Sequence, residues 1–175
     1  DPIDGTAGFV RGIPVWAPLI ALTHAEEGVQ VGVVSAPALG RRWWAARGDG
    51  AYANGQRCSV SAVGSIESSQ LCVTFSAGWD ELGLTPALVA LLRRARRARS
   101  FGDFWQHCLV AEGAVDVAID AVGVAPYDLA AVSVIVEEAG GAFTDRHGVR
   151  AYEHDTAVSS NGLLHDEVIA AIAAP

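Results

Sequence analysis

The sequence predicts an α/β layered sandwich. Its first third carries short apolar, β-branched runs broken by Gly and Asn-Gly turns, the mark of a mainly antiparallel sheet. From residue 71 onward, strand-like and helix-like stretches alternate, as in layered α/β folds. One helix-like stretch, from Asp128 to about Ala139, is apolar on most sides and so has to be covered on most sides. A length of 175 residues with 51% hydrophobic content is enough for one sizeable core and short for two ordinary domains. Residues 1–175 therefore read as one domain, with a mainly β part over 1–80 and an α/β part over 81–175.

Residues 15–23 and 29–35 read as a hairpin of buried strands around the turn His24 to Gly28. Residues 42–47 and 51–53 flank Gly48-Asp49-Gly50, and Asn54-Gly55 marks a further turn before 57–60. Residues 71–75 read as a strand. Thr85-Pro86 opens a helix over 85–96, with Thr85 as cap and Pro86 in the first turn. The Arg residues at 93, 94, 96 and 97 crowd the end of that helix, as a solvated face with favourable charge or, less simply, as a surface for an acidic partner. A helical run follows Asp103 as far as Glu112, a strand covers 115–119, and Asp128 opens the apolar helix that Gly140-Gly141 stops. Strands at 142–144 and 157–160 and an amphipathic helix over 163–173 complete the chain.

Composition narrows the function classes. The net charge is −8 and every one of the 12 basic residues is Arg, a poor profile for a general nucleic-acid binder. Apolar runs stop well short of the roughly 20 residues that a bilayer crossing needs. The three Cys residues, at 58, 72 and 108, lack metal-finger spacing and read as free thiols of a reducing cytoplasm. Met is absent and the chain opens on Asp1, so either the N-terminus is processed or the sequence is the later part of a longer protein.

The opening hexapeptide, Asp1-Pro2-Ile3-Asp4-Gly5-Thr6, carries the most chemistry. A tight turn there presents two carboxylates, a free carbonyl at Ile3 and the amides of Gly5 and Thr6. Carboxylate and carbonyl oxygens suit Mg²⁺ or Mn²⁺, and turn amides suit a phosphate. Read alone, the hexapeptide is equally an Asx-rich turn. Asp128, at the start of the apolar helix, is either a plain N-cap or part of the same centre, where the helix N-terminus favours an anion.

Together, Asp1 to Thr6 and Tyr127-Asp128-Leu129-Ala130-Ala131 resemble the two signature motifs of the inositol monophosphatase family of Mg²⁺-dependent, lithium-sensitive phosphatases. Tyr127 stands where the family usually has Trp. The resemblance implies the layered inositol monophosphatase/fructose-1,6-bisphosphatase-like fold without its N-terminal helices. It implies Asp1, Asp4, Asp128 and the Ile3 carbonyl as metal ligands, with about two or three Mg²⁺ ions per site. It further implies that the Gly5 and Thr6 amides hold the phosphate, that the Thr6 hydroxyl orients the attacking water, and that the protein is a homodimer. No His is implied as general base, and the five His residues read as surface or satisfied side chains. Because family members carry a preceding stretch that supplies a Glu ligand, the piece alone is expected to bind Mg²⁺ weakly, turn over poorly and expose apolar surface.

Specificity falls to the segments Gly102 to Trp105 and Val124 to Tyr127. A Glu that contacts sugar hydroxyls in inositol-type members is replaced here by Ala121, with Asp120 beside it. Phe101-Gly102-Asp103-Phe104-Trp105 and Pro126-Tyr127-Asp128 resemble the histidinol-phosphate phosphatase branch. Histidinol phosphate is cationic at its organic end and a polyol phosphate is not, so Asp103 and Asp120 are the candidate substrate contacts. The competing assignments are an N-cap of the 104–112 helix for Asp103 and a surface strand end for Asp120. An inositol monophosphatase, a broader sugar-phosphate phosphatase and an inactive binding homologue are the alternatives.

Overall fold

The computed structural model describes residues 1–120 and 122–173. After a short helix α1 (Thr6–Val10), five strands form an antiparallel meander: β1 (Leu19–His24), β2 (Gly28–Ala36), β3 (Arg41–Ala46), β4 (Gly50–Ala53) and β5 (Gln56–Arg57). The chain then builds a second sheet from β6 (Gln70–Thr74), β7 (Arg97–Arg99), β8 (Val117–Asp120), β9 (Ala142–Thr144) and β10 (Ala157–Ser160), in the order β7-β6-β8-β10-β9. β6 pairs parallel with both β7 and β8, and the remaining pairs are antiparallel. Helices α2 (Gly78–Glu81) and α3 (Thr85–Arg94) lead from β6 to β7, and α4 (Asp103–Ala111) leads from β7 to β8. α5 (Pro126–Glu138) and α6 (His165–Ile172) complete the set.

The predicted elements are present, with shifted ends and three additions. α1, α2 and β7 carry too few residues for a periodic pattern. Thr85 does not cap α3. Residue Leu84 before it is already helical (φ −92°, ψ −11°), because α2 runs almost directly into α3, so the extended geometry of an N-cap is missing. The Thr85 hydroxyl donates to Asp80 instead. The Arg run is split: Arg93 and Arg94 end α3, whereas Arg97 and Arg99 flank Ala98 on the edge strand β7, where charge discourages further strand pairing.

Two apolar clusters hold the layers. α4 and α5 pack against one face of the first sheet, through Leu19, Val34, Trp43, Ala45 and Ala51, and contribute Phe104, Val110, Leu129, Val132 and Ile135. The second sheet is covered on both faces. Cys72 and Ala118 point toward α4 and α5, while Leu71, Val73, Val117, Ile119 and Val158 meet Leu88 and Leu91 of α3 and Val168 and Ile172 of α6. Buried on both faces, these strands read as continuous apolar runs rather than alternating ones. α5 is buried over Leu129 to Val136 without a break, as its apolar circumference requires. Glu112, after α4, accepts from the Trp43 indole and the Arg41 guanidinium of β3 and ties the helix to the first sheet. The opposite face of that sheet leaves Ile20 and Leu22 exposed.

α5 lies on β2 at very close range, and Gly32 permits it. A Cβ at residue 32 would stand 2.4 Å from the Ala131 carbonyl oxygen and 2.6 Å from Val134 Cγ1. Neither can yield without moving the helix. Gly32→Ala is expected to destabilise the protein by about 2–3 kcal/mol, seen as a lower urea midpoint at unchanged slope. An unchanged midpoint would show that the layers slide freely.

Candidate active site

Asp4 is fixed from two directions. Its backbone exchanges hydrogen bonds with Ala17 (Asp4 N–H to Ala17 O 2.9 Å, Ala17 N–H to Asp4 O 3.1 Å). Its Oδ2 accepts from the Phe104 amide in the first turn of α4, at 2.7 Å. Asp1 Oδ1 accepts from the Ile3 amide at 2.8 Å, which folds the opening turn. Asp128, in the first turn of α5, accepts the Ala125 amide through Oδ2 at 2.9 Å. One carboxylate oxygen from each of Asp1, Asp4 and Asp128 lies within 4.8 Å of the others. Burial pushes the Asp4 carboxyl up to about 7, against the Phe104 hydrogen bond and with help from the charges of Asp103, Asp128 and Asp120. Three hard anionic donors converging at a buried position call for a cation, and their chemistry fits Mg²⁺ or Mn²⁺.

Gly5 turns the chain out of this cluster with a left-handed backbone (φ 79°, ψ 29°), and α1 begins at the next residue. The amides of Gly5 and Thr6 have no acceptor among the described residues. The Thr6 hydroxyl donates to the Ile3 carbonyl at 2.6 Å. A Cβ at Gly5 would sit 2.6 Å from the Val15 carbonyl and 3.3 Å from Asp103 Oδ2, on a backbone that L-residues rarely adopt. Gly5→Ala is therefore expected to displace the turn amides and lower stability by about 1–3 kcal/mol, read as a lower urea midpoint. A wild-type midpoint in that variant would contradict the strained turn.

A cleft of about 190 Å³ opens beside the cluster, lined by Asp4, Asp103, Asp120 and Asp128 together with Thr74, His107 and neighbouring apolar groups. It sits at the carboxyl ends of the parallel strands β6 and β8, where Thr74 and Asp120 are register partners, and the N-termini of α4 and α5 border it. Open α/β sheets place their ligands at this end. Asp103 follows Gly102 with a left-handed φ of 49°, which aims its carboxylate toward Gly5. Burial, and then the charge of Asp120, raise its pKa. Burial alone would raise Asp120 too, but the hydrogen bond and charge of His107, with hydrogen bonds to Thr74 and Gln106, hold that carboxyl below its usual range.

The inositol monophosphatase family model matches residues 1–174. The chain belongs to the inositol monophosphatase family. It is 52% identical to the histidinol-phosphatase of Mycobacterium tuberculosis and 44% identical to that of Streptomyces coelicolor, over 97% of this chain in both cases. It spans 66% of the length of each of these relatives. Among solved structures, Thermotoga maritima IMPase superposes with a TM-score of 0.89 at 35% identity, over 99% of this chain and 66% of that one.

The layered inositol monophosphatase fold thus brings together Asp1, Asp4, Asp128, Gly5 and Thr6, and sets Asp103 and Asp120 in the adjoining cleft. Several expectations need correction. The Ile3 carbonyl is not free, since it accepts the Thr6 hydroxyl, although its second lone pair leaves room for a ligand. Asp128 is not the N-cap of α5: Ala125 holds that position and Asp128 satisfies its amide from inside the first turn. Asp103 does not cap α4 either, for Gly102 occupies the N-cap and no side-chain cap bond forms. Asp120 is no surface strand end, being only 5% exposed. Ala121, read as the replacement for the sugar-contacting Glu, lies outside the described residues. Thr74 and His107, not singled out from sequence, line the cleft because β6 ends there and α4 runs along it from its first turn. The three Cys residues are buried free thiols, and no helix among the described residues is long and apolar enough to cross a membrane.

Proposed function

We propose that this chain is the greater part of a Mg²⁺-dependent phosphomonoesterase that hydrolyses histidinol phosphate to histidinol and phosphate, with residues 1–175 forming one phosphatase domain. The observation that carries the reading is the pair of extra carboxylates, Asp103 and Asp120, in the cleft next to the Asp1–Asp4–Asp128 cluster. A polyol phosphate offers these two carboxylates no counter-charge. An ester with an ammonium and a protonatable imidazole does. The likeness to two histidinol-phosphatases supports the same choice.

Asp1, Asp4 and Asp128, with the Ile3 carbonyl, would hold Mg²⁺, about two or three ions, or Mn²⁺ in its place. When bound, such ions neutralise the phosphate and activate water for in-line attack. The chain's own groups do the rest. The Gly5 and Thr6 amides point at the phosphate oxygens, and the bordering helix N-termini favour the same anion. The Thr6 hydroxyl, its proton committed to the Ile3 carbonyl, offers a lone pair that orients the attacking water. Asp103 and Asp120 hold the organic end. A soluble cytoplasmic homodimer is the assembly we propose on family resemblance.

A second reading, an inositol monophosphatase, is favoured by the 0.89 TM-score to Thermotoga maritima IMPase. A substrate panel on the complete protein with Mg²⁺ decides between them. We expect phosphate release from histidinol phosphate at a kcat/KM at least about tenfold above that for inositol 1-phosphate. The reverse order establishes the second reading, and release from neither marks an inactive binding homologue.

A further inference from the structure

One buried polar chain beside the cleft has no part in the metal or phosphate sites. His107, in the middle of α4, is 1% exposed and both its ring nitrogens are engaged. Nε2 is 2.8 Å from Asp120 Oδ2 and Nδ1 is 2.8 Å from the Ser159 hydroxyl of β10. An ionised carboxylate only accepts, so Nε2 carries the proton and donates to Asp120. The Ser159 hydroxyl, able to donate or accept, completes the bond at Nδ1. The ring also packs against Phe143, with centroids 6.0 Å apart. It is thus held at both ends and along its side, and it has no freedom to swing.

The same carboxylate is approached from β6. Thr74 is its register partner there, and Gln106 of α4 lies beside it. Gln106 also donates to the Thr74 hydroxyl at 3.0 Å, while its own Oε1, fully buried, has no partner among the described residues. Two elements besides its own, α4 and β6, therefore meet at one side chain. A carboxylate that served only to finish β8 would need no such frame. A carboxylate that must meet a charged group at a fixed place does, because orientation set in advance is not lost on binding.

We propose that His107 is a positioning residue for substrate recognition: anchored by Ser159, it fixes the Asp120 carboxylate in the cleft wall so that Asp120 faces the cationic part of the phosphomonoester. This rests on the reading that the cleft takes a cationic ester. His107 touches neither the phosphate nor the metal cluster. Its effect reaches the substrate through Asp120 alone, and so it is confined to esters that carry a positive charge.

The test uses the complete protein loaded with Mg²⁺ and two substrates, histidinol phosphate and the uncharged-alcohol ester glycerol 2-phosphate. His107→Leu is expected to lower the ratio of their kcat/KM values about tenfold, mainly through KM for histidinol phosphate. His107→Gln, whose amide can donate toward Asp120, is expected to recover most of that ratio. In an Asp120→Asn background the further change His107→Leu is expected to move the ratio less than twofold, because the two act through one contact. A purely structural His107 would instead lower both substrates together and add its full effect to Asp120→Asn, and that outcome overturns the proposal. Should His107→Leu fail to fold, Ser159→Ala removes the far anchor only, and a ratio unmoved in that variant also overturns the proposal when Asp120→Asn moves it. A wild-type enzyme without preference for the cationic ester sinks the substrate reading itself, and the proposal falls with it. Preference in the wild type with no selective loss in His107→Leu sinks the proposal alone.

Discussion

Asp4→Asn is expected to lower Mg²⁺-dependent phosphate release by about 10³-fold or more while making the metal-free protein more stable at pH 8. The two signs follow from one side chain. Asp4 is the most buried of the three clustered carboxylates and the one held from both α4 and Ala17, so an amide there removes a central anionic ligand without moving its neighbours. The Asn oxygen still accepts the Phe104 amide, so the packing survives. In the unfolded chain Asp4 titrates near 3.8, and in the metal-free fold near 7. Between those values the folded state binds more protons than the unfolded one. Its stability therefore falls as pH rises through that window and levels off above about 7. The loss amounts to a few kcal/mol, at about 1.4 per pKa unit. Asn has no such slope. Urea unfolding of both proteins in EDTA at pH 5 and pH 8 measures it, and the advantage of Asn should be larger at pH 8. Mg²⁺ removes the penalty in the wild type and displaces a proton below pH 7, so its apparent affinity should weaken as pH falls from 7 toward 5. Equal wild-type and variant stabilities at both pH values would contradict the burial argument.

The motifs were legible because each is local. The turn Asp1 to Thr6 declares itself through Pro, Gly and two carboxylates within six residues, and α5 through an apolar run with Asp128 at its head. What joins them is not local. Asp4 reaches the first turn of α4 through the amide of Phe104, a hundred positions on, and that contact depends on how both sheets pack around α4 and α5. The strand pattern at 115–119 locates β8 but says nothing of its last residue, because a carboxylate ending a strand is ordinarily solvated. Asp120 is buried only because His107 of α4 supplies its hydrogen bond, with Thr74 and Gln106 beside it. Likewise Asp103 looks like a helix cap by position, and only the left-handed backbone at Gly102 and Asp103 turns it toward the cleft. Short elements escaped for a simpler reason. β7 takes its form from parallel pairing with β6, and its own three residues read as the tail of an Arg-rich helix.

Asp103→Asn is expected to separate recognition of the organic group from hydrolysis itself. Asp103 lies beside Gly5 and within the field of Asp120, and burial raises its pKa. Two partly desolvated carboxylates repel one another, and a cationic substrate relieves both the repulsion and the desolvation at once. The amide keeps the shape and loses the charge. kcat/KM for histidinol phosphate should fall about 10- to 100-fold, the range for losing one hydrogen bond to a charged group, and the fall should lie in KM because the groups that bind metal and phosphate are intact. For inositol 1-phosphate the sign should invert. Removing one anion from the cleft relieves Asp120 and Asp4, so the neutral ester should bind as well as before or a few-fold better. Parallel kinetics on the two esters measure this, and an equal loss on both would place Asp103 in the hydrolytic machinery. The contrast with Asp4→Asn is itself informative: one substitution removes turnover on every ester, and the other redistributes it according to the charge of the alcohol.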